Sequence, residues 1–394
     1  MNKYLKRANE LVPELVENRR HFHRHPEVRD ELYETVKYVK ARLLEMGYEP
    51  KEICKCGLVA IAGGKKPGKC ILIRGDMDAL PMPEDTGLPF SSENPAAMHS
   101  CGHDFHMSML LGAAKILKEH EDEIEGTIKI CFQPNEETFG GAKAMIEAGV
   151  LENPHVDAAF AIHIGPMADV GTLDFGKGLT MGSADGFEII VHGKGCHGAA
   201  PHKGIDPINI GVHIHLALQE LLAREVNPAE QCTLTVGSMI FGDGATNVIP
   251  AEGRLLGTMR GFNAELIDTL RRRLEEVSIG TAQLFGGSAE IKWLFSSPAM
   301  YCDPDFTDDV VKYATDIVGA EMMIPKKERA TGSEDFAYFG QTVPSQIFWL
   351  GGGIEDKNKR ISNHNPKVLF SEDALPIGAA VYAQCAIEWL KEHK

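Results

Sequence analysis

Apolar positions along this 394-residue chain follow two rhythms. Residues 31–46 carry Leu32, Val36, Val39, Leu43 and Leu44, the spacing of an amphipathic helix. Residues 3–46 as a whole read as helices. They break at His25, because Pro26 disfavours helix in the residue before it. Short apolar runs of strand length follow at 58–62, 70–73, 127–132 and 158–162. Between the second and third, Met109, Leu110, Ala113, Ala114, Ile116 and Leu117 return to helical spacing. Strands alternating with helices predict an α/β fold, an open, mostly parallel sheet with helices on its faces. Such sheets place ligands at the carboxyl ends of their strands.

From about residue 183 the rhythm changes. Strand 185–192, helix 206–224, strands 232–240 and 252–260, helix 264–284 and strand 289–294 give β-α-β-β-α-β, the ferredoxin-like order. Gly242-Asp243-Gly244 reads as a turn there and not as a phosphate loop, since no Lys-Ser/Thr follows. From 297 the first pattern resumes: helix 305–318, strand 346–350, the triple glycine 351–353, a polar loop and a final helix, 372–392. A chain this long exceeds the size at which single cores stop growing. The expected division is a discontinuous catalytic domain, 1–182 and 297–394, with an inserted lid or dimerisation domain, 183–296.

A formal net charge of -16 argues against a nucleic-acid partner, which needs a basic face. Nine scattered cysteines in a long chain suit a reducing compartment and no disulfide framework, so cytoplasm is expected. No secretory h-region stands in residues 1–10 and no apolar run reaches bilayer length, so no membrane association is expected.

Chemistry concentrates in Met98-His99-Ser100-Cys101-Gly102-His103-Asp104-Phe105-His106. Gly102 frees the backbone, so Cys101 and His103 can converge on one point. A thiolate and an imidazole at that spacing suit a borderline metal such as zinc. Three strand ends deliver further ionisable groups: Asp76 and Asp78, Glu136 and Glu137, and His163. With His364 from the polar loop, the candidate ligands are Cys101, His103, Glu137, His163 and His364. Two divalent ions about 3.5–4 Å apart need several ligands and one bridging group, and a thiolate can bridge. Neighbouring side chains point to different sides. One of the Glu136–Glu137 pair can therefore bind metal while the other serves as general base. By contrast His21, His23 and His25 read as a solvated or substrate-side helix end, because no acidic or cysteine partner stands at ligand spacing.

The 98–106 run, Arg74-Gly-Asp-Met-Asp-Ala-Leu-Pro81 and Gln133-Pro-Asn-Glu-Glu137 together resemble the N-acyl-amino-acid amidohydrolases, a branch of the dinuclear metallopeptidases. Further matches are His197-Gly-Ala-Ala-Pro-His202, Thr246-Asn-Val-Ile-Pro250 and Gly332-Ser-Glu-Asp-Phe336, in order across the chain. The resemblance implies hydrolysis of the amide bond of small N-acyl amino acids by a metal-activated water. It implies two divalent ions per subunit (zinc, manganese, cobalt or nickel), held by the five ligands above, with Glu136 as general base. Asp78 would orient a ligand, His197 would polarise the scissile carbonyl, and Asn247 and Arg260 would hold the substrate carboxylate. It also implies a homodimer in which His197 serves the neighbouring subunit. Two departures stand out: Val28-Arg29-Asp30 replaces the family's small and aromatic residues near the site entrance, and Asn135 replaces a common alanine, with little effect expected.

Two rival readings explain less. A cysteine hydrolase with Cys101 as nucleophile leaves Glu136, Glu137, His163 and His364 without a role. A metal-storage protein has no need of Glu136. Within enzymes the alternative is a metallo di- or carboxypeptidase acting on short peptides.

Overall fold

The structure is a computed structural model and describes residues 2–394. It separates into two compact units, Met1–Thr180 with Tyr301–Glu328 and Asp335–Lys394, and Met181–Met300 with Arg329–Glu334. The short segment Arg329–Glu334 departs from the expected division. The Gly182 N–H donates to the carbonyls of Ala330 and Gly332, and Ser333 Oγ donates to Gly182 O at 2.7 Å, which ties the segment to the second unit.

The first unit is built on an eight-stranded sheet. Its spatial order is Lys51–Cys54, Gly57–Gly63, Thr127–Gln133, Cys70–Asp76, Ala158–Asp169, Ser345–Gly353, Leu173–Phe175 and Met323–Pro325. Cys70–Asp76 pairs in parallel with both neighbours, and Ser345–Gly353 pairs in parallel with Ala158–Asp169. Lys51–Cys54 and Gly57–Gly63 are antiparallel additions at one edge.

From Cys70–Asp76 the chain passes to one side, into Thr127–Gln133, and then back to the other, into Ala158–Asp169. The two central strands pair only as far as Arg74 and Ala161 and then part. Tyr382 fills the parting: its hydroxyl donates to Arg74 O at 2.7 Å and accepts from the Ile162 N–H at 2.9 Å. A crevice opens where strand order reverses, the place such sheets use for ligands.

Helix His103–Glu119 packs against both parting strands and against helices Val12–Arg24 and Leu375–Glu392. From Met107 to Ala114 every side chain is buried, so this helix runs through the core. It starts at Gly102, whose φ is 89°. A Cβ there would meet Ile164 Cγ2 at 2.4 Å, so only glycine allows this close approach. The triple glycine lies inside the strand Ser345–Gly353 and not after it. A Cβ at Gly351 would meet Asp169 O at 2.0 Å, and the bare backbone lets the neighbouring strand bulge inward.

The second unit carries a four-stranded antiparallel sheet, ordered Cys232–Phe241, Glu252–Gly261, Ala184–His192 and Ser288–Ser297. Helices Pro207–Glu220 and Ala264–Leu284 pack on each other and on it. Asp206 caps the first helix through Ile208 N and Asn263 caps the second through Leu266 N. Their apolar faces share one core with Phe187, Ile189 and Val191. The βαββαβ order is ferredoxin-like. Among the described residues no helix is long and apolar enough to cross a membrane.

Candidate metal centre

The crevice collects the five expected ligands, all in the first unit. Cys101 sits among them: its sulfur lies 3.4 Å from His163 Nε2 and 3.3 Å from His364 Nε2. Cys101, His103 and His163 form one group, and Cys101, Glu137 and His364 another, with ligand atoms within 4.8 Å of one another in each. The two groups share the thiol. His103, Glu136 and Glu137 form a third.

The hydrogen bonds fix which nitrogen each imidazole offers. His103 Nδ1 stands 2.7 Å from Asp78 O, and His163 Nδ1 stands 2.8 Å from Ile164 O. A carbonyl only accepts, so each Nδ1 donates and Nε2 is the nitrogen each ring can offer to a metal. Both Nε2 atoms belong to the cluster. His103 Nε2 and Glu137 Oε1 are buried with no hydrogen-bond partner. Buried polar atoms are normally satisfied, and a cation held between these two would satisfy both.

The electrostatics agree. Burial pushes the Cys101 thiol well above its usual range, and the Glu137 carboxylate adds to this. Burial pushes the Glu137 carboxyl up to about 7. Burial pulls His103 down, but Asp76 and Cys101 outweigh it and raise it well above an ordinary histidine. Burial lowers His163, and His106 adds to the effect. The cluster thus holds protons against an excess of negative charge, and divalent cations are the species that displace them. Thiolate, imidazole and carboxylate are a donor set for zinc-like ions, so residues and group fit.

Asp78 reaches two of the expected ligands, His103 and Glu137. Its carbonyl holds His103, while its carboxylate accepts the N–H groups of Glu136 at 2.9 Å and Glu137 at 3.1 Å. Asn135 shapes the turn that carries the two glutamates. It adopts φ 57°, which asparagine tolerates, and its carbonyl accepts the N–H groups of Gly140 and Gly141. From this turn the carboxylates of both glutamates come together with His103. The Asn135 N–H donates to Arg29 O at 3.0 Å, so the divergent segment at Val28 and Arg29 packs directly beneath the turn. The Glu136 Oε1 accepts the Asp335 N–H at 3.4 Å.

His163 lies within its strand, not at the end. His364, half-exposed, takes φ 63°, a left-handed backbone that histidine enters more readily than most residues. Its N–H donates to Ser100 O, and Asn363 Nδ2 donates to Cys101 O at 3.0 Å, so the two loops hold each other.

A supporting layer escaped the sequence reading. The Ile164 N–H donates to His106 Nε2 at 2.8 Å, which puts the proton on Nδ1, and Nδ1 donates to Asp76. Asp76, His103 and His106 form a further group of ligand atoms within 4.8 Å of one another, and with both of its nitrogens engaged His106 braces the site. The Arg74 guanidinium joins Asp76 at 2.6 Å, Asp335 at 3.0 Å and Gln133 at 2.8 Å, all buried. The motifs holding Arg74, Asp76 and Asp335 were visible, but their mutual contact was not. The helix-end histidines also need correction. His23 is buried, with Nδ1 2.8 Å from Asp104 Oδ2 and Nε2 3.1 Å from Glu84 Oε1.

His197, Asn247 and Arg260 belong to the second unit. His197 and Asn247 are neighbours: Cys196–His197 pairs with Val248–Ile249, and the Gly198 N–H donates to Asn247 O at 2.7 Å. Both are exposed. The Ala199 N–H donates to His197 Nδ1, leaving Nε2 as the donor of the neutral ring. Arg260 is half-buried and donates to Ser333 Oγ at 2.8 Å.

The sequence profile of peptidase family M20/M25/M40 matches residues 72–388. A thermostable carboxypeptidase of Saccharolobus solfataricus is 36% identical over 389 residues, 97% of each chain. An N-acetyl-L-cysteine deacetylase of Bacillus subtilis is 37% identical over 342 residues, 86% of this chain and 81% of that protein. A solved structure of a dinuclear metal binding peptidase of the M20 family, from Bacillus subtilis, superposes with TM-score 0.79 at 32% identity, covering 97% of this chain and 99% of that one.

Proposed function

The chain belongs to peptidase family M20/M25/M40, the metal-dependent hydrolases, and on that footing we propose that it hydrolyses the amide bond of N-acyl amino acids. The observation that carries the reading is the crevice itself: two ligand groups sharing Cys101, with Glu136 beside them. We propose two divalent ions per subunit, held by Cys101, His103, Glu137, His163 and His364. Divalent cations in such a site act as Lewis acids, polarising the scissile carbonyl and making water a better nucleophile.

Glu136 takes the proton from the attacking water and passes it to the leaving amine nitrogen. Its turn and the Asp335 N–H hold that carboxylate in place. Asp78 aligns Glu136 and Glu137 through their backbone. His197 Nε2–H donates to the developing oxyanion, and Asn247 and Arg260 take the substrate carboxylate, for which a guanidinium offers a bidentate fork. The enzyme acts as a homodimer, with His197 supplied by the partner subunit. Nine free cysteines support a reducing, cytoplasmic setting. Zinc, manganese, cobalt and nickel all suit the donor set.

The Bacillus subtilis deacetylase supports an acyl substrate, while the Saccharolobus solfataricus carboxypeptidase favours a second reading, cleavage of short peptides. A panel of N-acetyl, N-benzoyl and indole-acetyl amino acids beside dipeptides, on metal-reconstituted protein, decides between them. Turnover of acyl substrates alone is expected. Turnover of peptides alone would transfer the assignment to the second reading.

A further inference from the structure

Trp349 and Lys326 form a stack on a proposed ligand, and the hydrolysis as outlined assigns neither a role. Trp349 stands directly opposite His163 in parallel register between Ser345–Gly353 and Ala158–Asp169. Their ring centroids are 4.2 Å apart and their planes meet at 24°. On its other side Trp349 is opposite Asp174, on the antiparallel neighbour Leu173–Phe175. Lys326 Nζ lies 4.9 Å from the indole centroid and 3.7 Å from Asp174 Oδ2. The indole is therefore flanked by the imidazole from one strand and by the Asp174–Lys326 pair from the other.

The Ile164 carbonyl fixes the tautomer of His163, and His106 meets the ring at an angle of 67° with centroids 4.6 Å apart, but neither contact covers its flat face as a stacked ring does. A stacked indole covers that face, and a cation on an indole anchors the indole in turn. We propose that Trp349 is a positioning residue. It holds the His163 ring so that Nε2 faces the Cys101 sulfur, 3.4 Å away, and Lys326, clamped by Asp174, holds Trp349. This inference rests on the assignment of His163 as a metal ligand. Outer partners of metal-bound histidines typically matter by roughly 10- to 100-fold in metal affinity.

Cobalt(II) titrated into metal-stripped protein, read by its visible absorption and by elemental analysis, tests the proposal. Trp349→Leu is expected to bind one of the two cobalt ions at least about tenfold more weakly and with an altered visible band. Trp349→Phe, which can still stack, restores the parent affinity and spectrum, and Lys326→Met falls between them. Parent-like cobalt binding in Trp349→Leu, or a Trp349→Phe as weak as the leucine variant, overturns the role. Should Trp349→Leu fail to fold, Lys326→Met on the surface carries the test, and parent-like affinity there overturns it. His163→Ala separates this from the assignment beneath. Loss of one ion sustains His163 as a ligand whatever Trp349 does, and retention of both overturns the two together.

Discussion

The Asp78 carboxylate accepts the backbone N–H of Glu136 at 2.9 Å through one oxygen, while its other oxygen takes the N–H of Glu137. One side chain thus sets the height of both glutamates at once. Asparagine at this position keeps one acceptor and turns an N–H₂ group toward the second N–H. Leaving a buried donor unpaired costs about 1–3 kcal/mol. Asp78→Asn is expected to fold with a lowered melting temperature and to lose turnover by an order of magnitude or more. Parent-like kcat in that variant counts against the alignment role.

The adjacent glutamates are expected to fail in different ways. Glu136→Ala keeps its metal and loses turnover by orders of magnitude, whereas Glu137→Ala loses metal. Elemental analysis of both, dialysed side by side, makes the distinction. Equal metal loss in the two variants refutes the division of labour.

Cys101→Ser is expected to weaken metal binding and activity together, with partial recovery of each when metal is added in excess. A hydroxyl is a poorer ligand than a thiolate and still an oxygen donor. Mass spectrometry of the parent during turnover is expected to find no acyl group on Cys101. A covalent acyl-enzyme there would establish a nucleophilic cysteine in place of a ligand.

If the partner subunit supplies His197, two dead variants should revive each other. Glu136→Ala and His197→Ala are unfolded and refolded together. A mixed dimer working in trans then has one site with both lesions and one with neither, so activity returns. A mixture that stays inactive points to His197 acting within its own chain.

The brace between His23 and Glu84 gives the fold an acid-sensitive limb. Burial alone raises the Glu84 carboxyl, but hydrogen bonds from His23, Thr86 and the Ser92 N–H outweigh it and hold it at about 2. Its depressed value contributes stability that is complete above the ordinary glutamate range near 4.5 and is lost as pH falls toward 2. His23 runs the opposite way. Burial lowers it, and bonds to Asp104 and Glu84 raise it overall, so its share is present below about pH 6.5 and fades as pH rises through the raised value. Glu84→Gln is expected to lose on the order of 2–3 kcal/mol at neutral pH and to show a flatter decline between pH 4.5 and 2. Urea unfolding at several pH values measures this, and parallel curves for parent and variant contradict it.

The parts of the site legible in the sequence were those carried by local pattern. Cys101 and His103 share a glycine-hinged run, and Asp78, Glu136 and Glu137 follow apolar runs of strand length, so topology alone gathered them. The crossings between distant segments were not legible. His23 and Asp104 meet across 81 positions and Arg74 and Asp335 across 261, and nothing in either local sequence announces the other. Three histidines before a proline therefore looked solvated, although one of them is buried between two carboxylates. The triple glycine misled for another reason: glycine usually marks a turn, and here the pressure came from a neighbouring strand's carbonyl. Asn135 shapes its turn through its backbone, at φ 57°, which the identity of the residue alone does not announce.

His364 and Asn363 reach the Cys101 loop across 263 and 262 positions of the chain. A growing polypeptide therefore cannot finish its ligand set until synthesis has passed that loop, long after the sheet's central strands have left the ribosome. Closing so large a loop costs somewhat more entropy than the 62-residue closure between Cys101 and His163. On the proposed assignment of His364 as a ligand, stable retention of metal becomes a report that the C-terminal third has been made and has docked.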